Sequence, residues 1–578
     1  MRIGKIALMS GVAGMAMIVA AGARAADAGN SSDADKPLVL AQNVSPSNNA
    51  MSNAELAARL QAVEDQLAAQ QDRAMADRTR LSTLEQGYNS AVWNFDNGRA
   101  TFASGDNRFT LAIRARMQAD FAGFSQDAPG SHPSGFAGPT DLSSGAVMRR
   151  AYIGIEGRAF SDFWYELRLN AGGSDGGQNP TCTATSTSTQ AAPAGGAITT
   201  ASTCAIGSIE PAGEGDPLLN KMVITYIGVP WWHFNVGVIE PSFMMEGTTS
   251  SANLVWMERP DIENIAADSF GAGDSRRGIE MGWSRPDTFW AGDNTAFDVA
   301  FTGGKTGSAA GHGNGGDEQT QILGRVTDRL WSDGISNIQL GMSIASVLNS
   351  GTTAGGGSET LRFRERPEIR VDGTRLIDTG NIAAQTGDML AFDMEGNWQN
   401  FYLEGEWAQF KMDRECGASV TVAANPVCTS SRAVIDHPTF SGWTVGGTWI
   451  LTGETKPYTA GTYIASAVAE TQAGYAAPVP SRPFSLDGGN WGAWELTARY
   501  SDTNLGWNTS QLASSSQLAG INGGRQRIMA FGVNWYLNRN IRVILDDNVV
   551  QISKGTAAIP DRDSQDFNVV GLRIQYAN

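Results

Sequence analysis

From Gly492 to Leu505 the chain reads GAWELTARYSDTNL, with Trp494, Leu496, Ala498 and Tyr500 alternating with Glu495, Thr497, Arg499 and Ser501. Successive side chains of an extended strand point to opposite faces, so this stretch predicts a strand with one oily face and one polar face. The alternation recurs from Ala151 to Arg158, Tyr165 to Asn170, Met529 to Leu537 and Asn568 to Tyr576, with Gly-, Asn-, Asp- and Ser-rich turns between. A soluble sheet shows the same pattern locally. Repeated many times with aromatic ends, it predicts the wall of an outer-membrane β-barrel, apolar toward lipid and polar toward a water-filled lumen.

The N-terminal part follows other periods. Arg2 and Lys5 precede an uncharged run from Ile6 to Gly22, and Ala23-Arg24-Ala25 has the small-x-small form of a cleavage site, so residues 1–25 are expected to be a signal peptide. Residues 26–50 are small and polar, a flexible linker by composition. Over residues 51–86, Leu56, Leu60, Val63, Leu67, Gln70, Ala74, Asp77, Leu81 and Leu84 recur at alternating spacings of four and three. That is the seam of a heptad repeat, and Ser52 with Glu55 forms a capping box at its start. Two readings stay open: a coiled coil, or a single amphipathic helix. Helical periodicity fades after Gly87, and residues 90–578 form the β-rich body. No later stretch reaches the roughly 18 apolar residues a membrane-crossing helix needs.

Composition sharpens this picture. The chain has 68 Gly, 16 Trp and 22 Phe, and only 17% of its residues are charged, which suits many turns and interfacial aromatics. Polar, small-residue stretches at Gln126–Asp141, Gly172–Asp216, Gly303–Asp317, Asn349–Ser358, Cys416–His437 and Thr509–Gly524 are longer than loops of compact soluble domains usually are. A net charge of −17 argues against a nucleic-acid partner but does not forbid a locally positive pore. Cys182 and Cys204 bracket one polar insert and Cys416 and Cys428 another, so two local disulfides in an oxidising compartment are the economical pairing. The four histidines are scattered and neither cysteine pair has CxxC spacing, which speaks against a metal site.

Enzyme motifs fare poorly. Gly172-Gly173-Ser174-Asp175-Gly176 fits GxSxG but lacks a following helix pattern. Gly304-Lys305-Thr306 ends like a phosphate-binding loop, yet Val299 stands where its first glycine is needed. Asp546-Asp547 is read as a turn or rim, since adjacent strand residues point to opposite faces. No catalytic residue and no cofactor is expected.

Arginine supplies the candidate chemistry. Arg114, Arg116, Arg158, Arg168, Arg499 and Arg573 occupy the polar phase of alternating strands. Charge facing lipid near the midplane costs about 2–4 kcal/mol, so these residues are expected to face water. Glu156, Glu166 and Glu495 share the same phases, so the lumen is expected to hold both signs. In Leu361–Arg366 (LRFRER), Arg362, Arg364 and Arg366 lie two apart. If extended, they aim three guanidinium groups one way at steps of about 6.5–7 Å, a ladder along which an anion could exchange. The alternative is a solvated loop whose arginines pair with Glu359, Glu365 or Glu368.

Several segments together resemble the phosphate-selective porin O and P family: MRRAYIGIEG from Met148 to Gly157, GVIEPSF from Gly237 to Phe243, Thr249-Ser250-Ser251, Met257-Glu258-Arg259, LTGE from Leu451 to Glu454, Arg482-Pro483-Phe484, the stretch from Gly492 to Tyr500, and Asn534-Trp535-Tyr536-Leu537. The resemblance implies a sixteen-stranded, trimeric outer-membrane porin of a Gram-negative bacterium, whose constricted channel favours anions through basic side chains. The expected function is passive diffusion of small hydrophilic solutes with a bias toward anions, phosphate or polyphosphate among them. The alternatives are a non-selective porin, or a structural barrel that tethers the envelope by placing its N-terminal helix on the peptidoglycan. The expected partners are outer-membrane lipid, the solutes themselves and further copies of the chain.

Overall fold

The computed structural model describes residues 52–89, 92–96, 98–126, 140–173, 219–305, 318–351, 360–416, 433–459, 473–509, 520–554 and 563–578. Two units are present, residues 1–83 and 84–578. The described part of the first belongs to one long helix, α1 (Asn53–Asn89). Its start is capped as its sequence predicts, with the Glu55 N–H donating to Ser52 Oγ at 3.3 Å. Leu56, Leu60, Val63, Leu67 and Leu81 of the heptad seam are all exposed.

The second unit is a closed barrel of sixteen antiparallel strands. In chain order these are β1 (Thr110–Gln126), β2 (Gly145–Ala159), β3 (Phe163–Asn170), β4 (Leu219–Tyr226), β5 (Trp232–Ile239), β6 (Arg276–Pro286), β7 (Asn294–Lys305) and β8 (Thr320–Ser332). They continue as β9 (Asn337–Asn349), β10 (Ile382–Trp398), β11 (Phe401–Glu415), β12 (Thr439–Ile450), β13 (Ala493–Trp507), β14 (Ile521–Tyr536), β15 (Ile541–Ser553) and β16 (Asp563–Ala577). Each strand pairs with the next, and β16 closes on β1 from Phe567 opposite Gln126 to Ala577 opposite Arg116. Closure leaves no open edge among these strands, the condition for spanning lipid with sheet. A hairpin of Val92–Asp96 and Arg99–Ala103 extends the start of β1, with Thr101 opposite Ala112.

The period-two pattern runs inside out relative to a soluble protein. On β9, Ile338, Leu340, Met342 and Ile344 are exposed, whereas Gln339 and Ser343 are fully buried. On β13, Leu496 is exposed and Glu495 fully buried. Apolar side chains therefore face outward, as lipid contact requires.

Connections are short at one end, such as residues 160–162 and 399–400, and long at the other. In bacterial barrels the short turns are periplasmic. The long polar stretches foreseen in the sequence fall at the opposite end, and their central residues lie outside the described part of the chain. Two long outer connections pack inside the barrel, residues 240–275 and, of the connection between β9 and β10, residues 360–381. So does part of an unusually long connection at the short-turn end, residues 451–492, where Tyr458 and Tyr475 hydrogen-bond to Gln339 and Asn337 of β9 at 2.6 and 2.8 Å.

This filling corrects the simple picture of a wet interior. Phe363 lies 5.8 Å from Phe270, 5.6 Å from Phe410 and 5.6 Å from Phe440 between ring centres, forming an apolar core within the barrel together with Phe243, Ile262 and Ile377. Phe410 and Phe440 occupy the inward phase because an inserted segment, not water, faces them. Asp546 and Asp547 are a second correction. They sit in the middle of β15, not in a turn or at a rim, with Asp546 buried inside and Asp547 exposed outside.

Candidate functional site

The inward segment 240–275 begins where β5 ends. It contains α2 (Met245–Thr248) and α3 (Asp261–Ile265), the latter continuing into a wider turn at Ala266–Phe270. Gly271, with φ 71°, ends that turn, and Arg276 donates to the carbonyls of Ala267 and Asp268 at 3.0 and 3.1 Å. Between the two helices the chain lies against the wall of β12–β16. Arg542 donates to Leu254 O at 2.7 Å, Asn534 to Val255 O at 2.9 Å, and the Met257 N–H donates to Asp546 at 2.8 Å. Two wall glycines make room for it. A Cβ at Gly446 would lie 2.3 Å from the Trp256 indole, and one at Gly571 would lie 2.7 Å from Met257 Sδ.

Buried ion pairs clamp the same segment. Arg573 donates to both oxygens of Asp120 at 2.6 Å and to Glu258 at 2.6 Å. Arg149 reaches Glu258 with two bonds, 2.8 and 3.2 Å. Burial alone would raise the Glu258 carboxyl, but Arg149, Arg150, Arg573 and Arg370 hold it well below the usual carboxylate range. Arg499 pairs with Glu246 at 3.3 Å and with Glu368, and it lies 4.5 Å over the Trp256 ring. Removing one member of such a pair leaves a buried charge uncompensated.

The other side of the segment faces β1–β4 across a cavity of about 260 Å³. Eight cationic side chains line it: Arg114, Arg116, Arg149, Arg150, Arg168, Lys221, Arg259 and Arg370. Five carboxyl groups do so as well, from Glu166, Glu240, Glu263, Asp268 and Asp274. Most of the cations are already engaged. Glu166 receives Arg114 at 3.2 Å, Lys221 at 3.2 Å and Arg168 at 3.6 Å. Arg168 also grips Glu240.

Two of the cations differ. Arg116 donates to Ser251 Oγ at 2.6 Å and Ser250 Oγ at 2.7 Å. Arg259 donates to the carbonyls of Glu246 and Thr249 at 2.6 and 2.7 Å. Among the described residues neither has a carboxylate within ion-pair distance. Both guanidinium groups hold the short stretch Thr249–Ser251 to the cavity, and the Tyr152 ring lies between Arg116 and Arg168 at 5.4 and 5.0 Å. Permanent cations beside hydroxyl donors, in a space sized for one small solute, form a weak receptor for an oxyanion.

Acids dominate behind the segment. Glu406 accepts the N–H groups of Met245 and Glu246 at 2.7 and 3.1 Å, and Glu263 accepts that of Gly247 at 2.9 Å. Burial pushes Glu263 up to about 7. Burial, with Glu404 close by, pushes Glu246 well above its usual range. Burial beside Glu368 and Glu365 does the same to Asp261. Like charges crowded away from water cannot all ionise, so part of this wall is protonated near neutrality and the balance of the cavity stays positive.

The nine arginines singled out from the sequence divide accordingly. Arg114, Arg116 and Arg168 line the cavity. Arg158 is half-buried toward the short-turn end of β2, opposite Trp164. Arg499 and Arg573 are buried clamps. Arg362, Arg364 and Arg366 lie in the second inward segment and share no single space: Arg362 is exposed and paired with Asp378, Arg364 is half-buried, and Arg366 is fully buried beside Glu365 at 3.7 Å. Cys416 is buried and disulfide-bonded, while Cys182, Cys204 and Cys428 lie outside the described residues.

Sequence reasoning missed Arg149, Arg150, Lys221, Arg259 and Arg370 as candidates. Adjacent residues of a regular strand cannot both face the lumen, yet Arg149 and Arg150 are both buried. A bulge explains this, since Gln118 stands opposite Arg150 and Ala119 opposite Met148, leaving Arg149 as the extra residue. The side-by-side arginines were the available signal, because one of them in lipid would be costly.

A sixteen-stranded barrel with an outward apolar face, whose lumen is narrowed by inserted segments around a basic cavity, is a porin-type membrane channel. The chain matches the phosphate-selective porin O and P family over residues 111–577 and belongs to that family; the barrel is an outer-membrane channel for small solutes. No curated protein matches the sequence. Among solved structures it is similar to the outer membrane channel DcaP of Acinetobacter baumannii, at 11% identity and a TM-score of 0.38, covering 81% of this chain and 97% of that one. The anion-selective porin from Comamonas acidovorans gives 11% identity and a TM-score of 0.38, covering 81% and 100%. OmpT of Vibrio cholerae gives 9% and 0.37, covering 82% and 98%.

Proposed function

We propose that the channel conducts small anions in preference to cations, phosphate among them, and that the cavity between β1–β4 and the segment 240–275 is where selection occurs. The observation that carries this reading is Arg116, a lumen guanidinium held by two serine hydroxyls and by no described carboxylate. An entering oxyanion replaces part of its hydration with Arg116, Arg259 and the hydroxyls of Ser250 and Ser251. Engagement of the neighbouring cations by Glu166 and Glu240 keeps binding weak enough for release, as conduction requires. The chain is exported through cleavage near residue 25, closes the disulfides Cys182–Cys204 and Cys416–Cys428, and assembles as a homotrimer.

Phosphate added to one side of a bilayer holding single channels tests this proposal. Chloride current falls as phosphate occupies the cavity, and the effect shrinks in Arg116→Ser. Chloride current indifferent to phosphate in the wild type contradicts a phosphate site. The exposed seam of α1 favours a second role, holding copies together or resting on peptidoglycan. Deleting residues 53–82 then weakens assembly or envelope attachment and leaves conductance unchanged.

A further inference from the structure

Four glutamates behind the inserted segment are set against one another. Glu246 of α2 and Glu263 of α3 stand beside Glu404 and Glu406 of β11, and all four are buried. Each gives one oxygen to a donor: Glu246 to Arg499 at 3.3 Å, Glu263 to the Gly247 N–H at 2.9 Å, and Glu404 to the Tyr402 hydroxyl at 2.8 Å. Glu406 accepts the N–H groups of Met245 and Glu246 with a single oxygen. The second oxygen of every one of these carboxyls is buried and has no donor among the described residues. Glu246 lies instead against Glu404, and Glu263 against Glu406, carboxyl to carboxyl. Two carboxylates facing each other in a dry site repel, whereas a pair that shares one proton makes a hydrogen bond.

The charged groups around the pairs do not replace that proton. Arg499 of β13 is shared between Glu246 and Glu368 of the second inserted segment, where Glu365 is a further buried acid. Arg325 of β8 is spent on Asp393 of β10 at 2.6 and 3.0 Å. Glu395 of β10 receives Gln339 and Tyr402 at 2.7 and 3.1 Å, and Lys456 faces Glu495 at 3.4 Å. Within the segment itself, Arg259 donates to carbonyls and Asp261 receives Gln526 at 2.8 Å. Burial holds Glu263 at about 7 and Glu246 well above its usual range. The shared protons are therefore present near neutrality and lost as pH rises.

The two helices also border the cavity, through Gly247, Thr248 and Glu263. They stand between the acids of β11 and the cations of β1–β4, while Arg573 and Arg149 clamp the chain between them at Glu258. Repulsion from β11 therefore pushes α2 and α3 toward the cavity, and an ionised Glu263 adds a negative charge to its lining. We propose that α2 and α3 are a pH-operated gate, latched open by the proton-sharing pairs Glu246–Glu404 and Glu263–Glu406 and driven into the cavity when the pairs ionise. The gate rests on the reading above in taking that cavity as the conducting path.

The test compares single channels of the full-length wild type and of Glu404→Gln/Glu406→Gln in planar bilayers with KCl. Neither of these two glutamates lines the cavity, and a glutamine amide can donate to Glu246 and Glu263 at any pH. Heat-modifiable mobility on gels confirms that the variant is folded. Wild-type chloride conductance is expected to be lost as pH is raised from about 6 to about 9, and to persist across that range in the variant. Deuterium exchange of the Met245, Glu246 and Gly247 amides, corrected for the intrinsic effect of pH, is expected to speed up over the same range in the wild type alone. A wild-type conductance that does not change with pH overturns the gate. So does a variant that loses conductance as the wild type does, since the effect is then a charge on the cavity wall and not a latch, and so does a conductance loss with the three amides still protected. A zero-current potential of the sign set by potassium at pH about 6 overturns the anion reading, and the conductance and exchange results still decide the gate.

Discussion

The two walls that flank the segment 240–275 use the same residue type for different ends. On the β13–β16 side, Arg499 and Arg573 are buried and spent on Glu246, Glu368, Asp120 and Glu258. On the β1–β4 side, Arg114, Arg116 and Arg168 border a cavity sized for one small solute, and Arg116 is held there by two serine hydroxyls and by no described carboxylate. All five occupy the polar phase of a lumen-facing strand. What separates a clamp from a selector is whether an inserted carboxylate reaches the guanidinium first.

The largest test of this division is Arg573→Ala. It strands Asp120 in a dry site, takes one of several cations from Glu258, and is expected to cost about 3–5 kcal/mol in unfolding free energy, measured by denaturant titration of the refolded barrel. A loss below 1 kcal/mol would mean that the clamp does not hold the segment. Gly446→Ala drives a methyl into Trp256 and is expected to cost about 1–3 kcal/mol by the same measurement, with noisier single-channel current as the segment loosens.

Smaller still is the effect of pH. Glu263, whose carboxyl is pushed up to about 7, favours the folded segment in its protonated form. Its contribution is full below about 4.5, the ordinary glutamate range, and is lost as pH rises through about 7. Current noise is therefore expected to grow between pH 6 and 8 and to become flat across that range in Glu263→Gln. Arg116→Ser should leave stability within about 1 kcal/mol while moving selectivity toward neutral. Least of all, Arg362→Ala removes an exposed pair with Asp378, at a cost of about 0–1 kcal/mol and with no change in selectivity.

The barrel was legible because its rule is local. Alternation in the stretch around Trp494 and Glu495 predicts the two faces that β13 presents, and the same rule finds β2, β3, β14 and β16. Closure and strand number came from resemblance to a family. The inserted segments were less legible, since period-two reasoning says what points inward but not what will meet it there. That is why Phe410 and Phe440 gave no warning of an apolar core, and why Arg573 looked like Arg116. The bulge at Arg149 hides two lumen cations, and Asp546-Asp547 reads as a turn or rim because adjacent strand residues point to opposite faces, whereas the strand runs through both.

The most direct measurement is the zero-current potential across a planar bilayer separating two KCl concentrations, for the wild type and for Arg116→Ser. A basic cavity that selects the solute predicts a potential of the sign set by chloride, moving toward zero in the variant. A potential of the sign set by potassium in the wild type would contradict it.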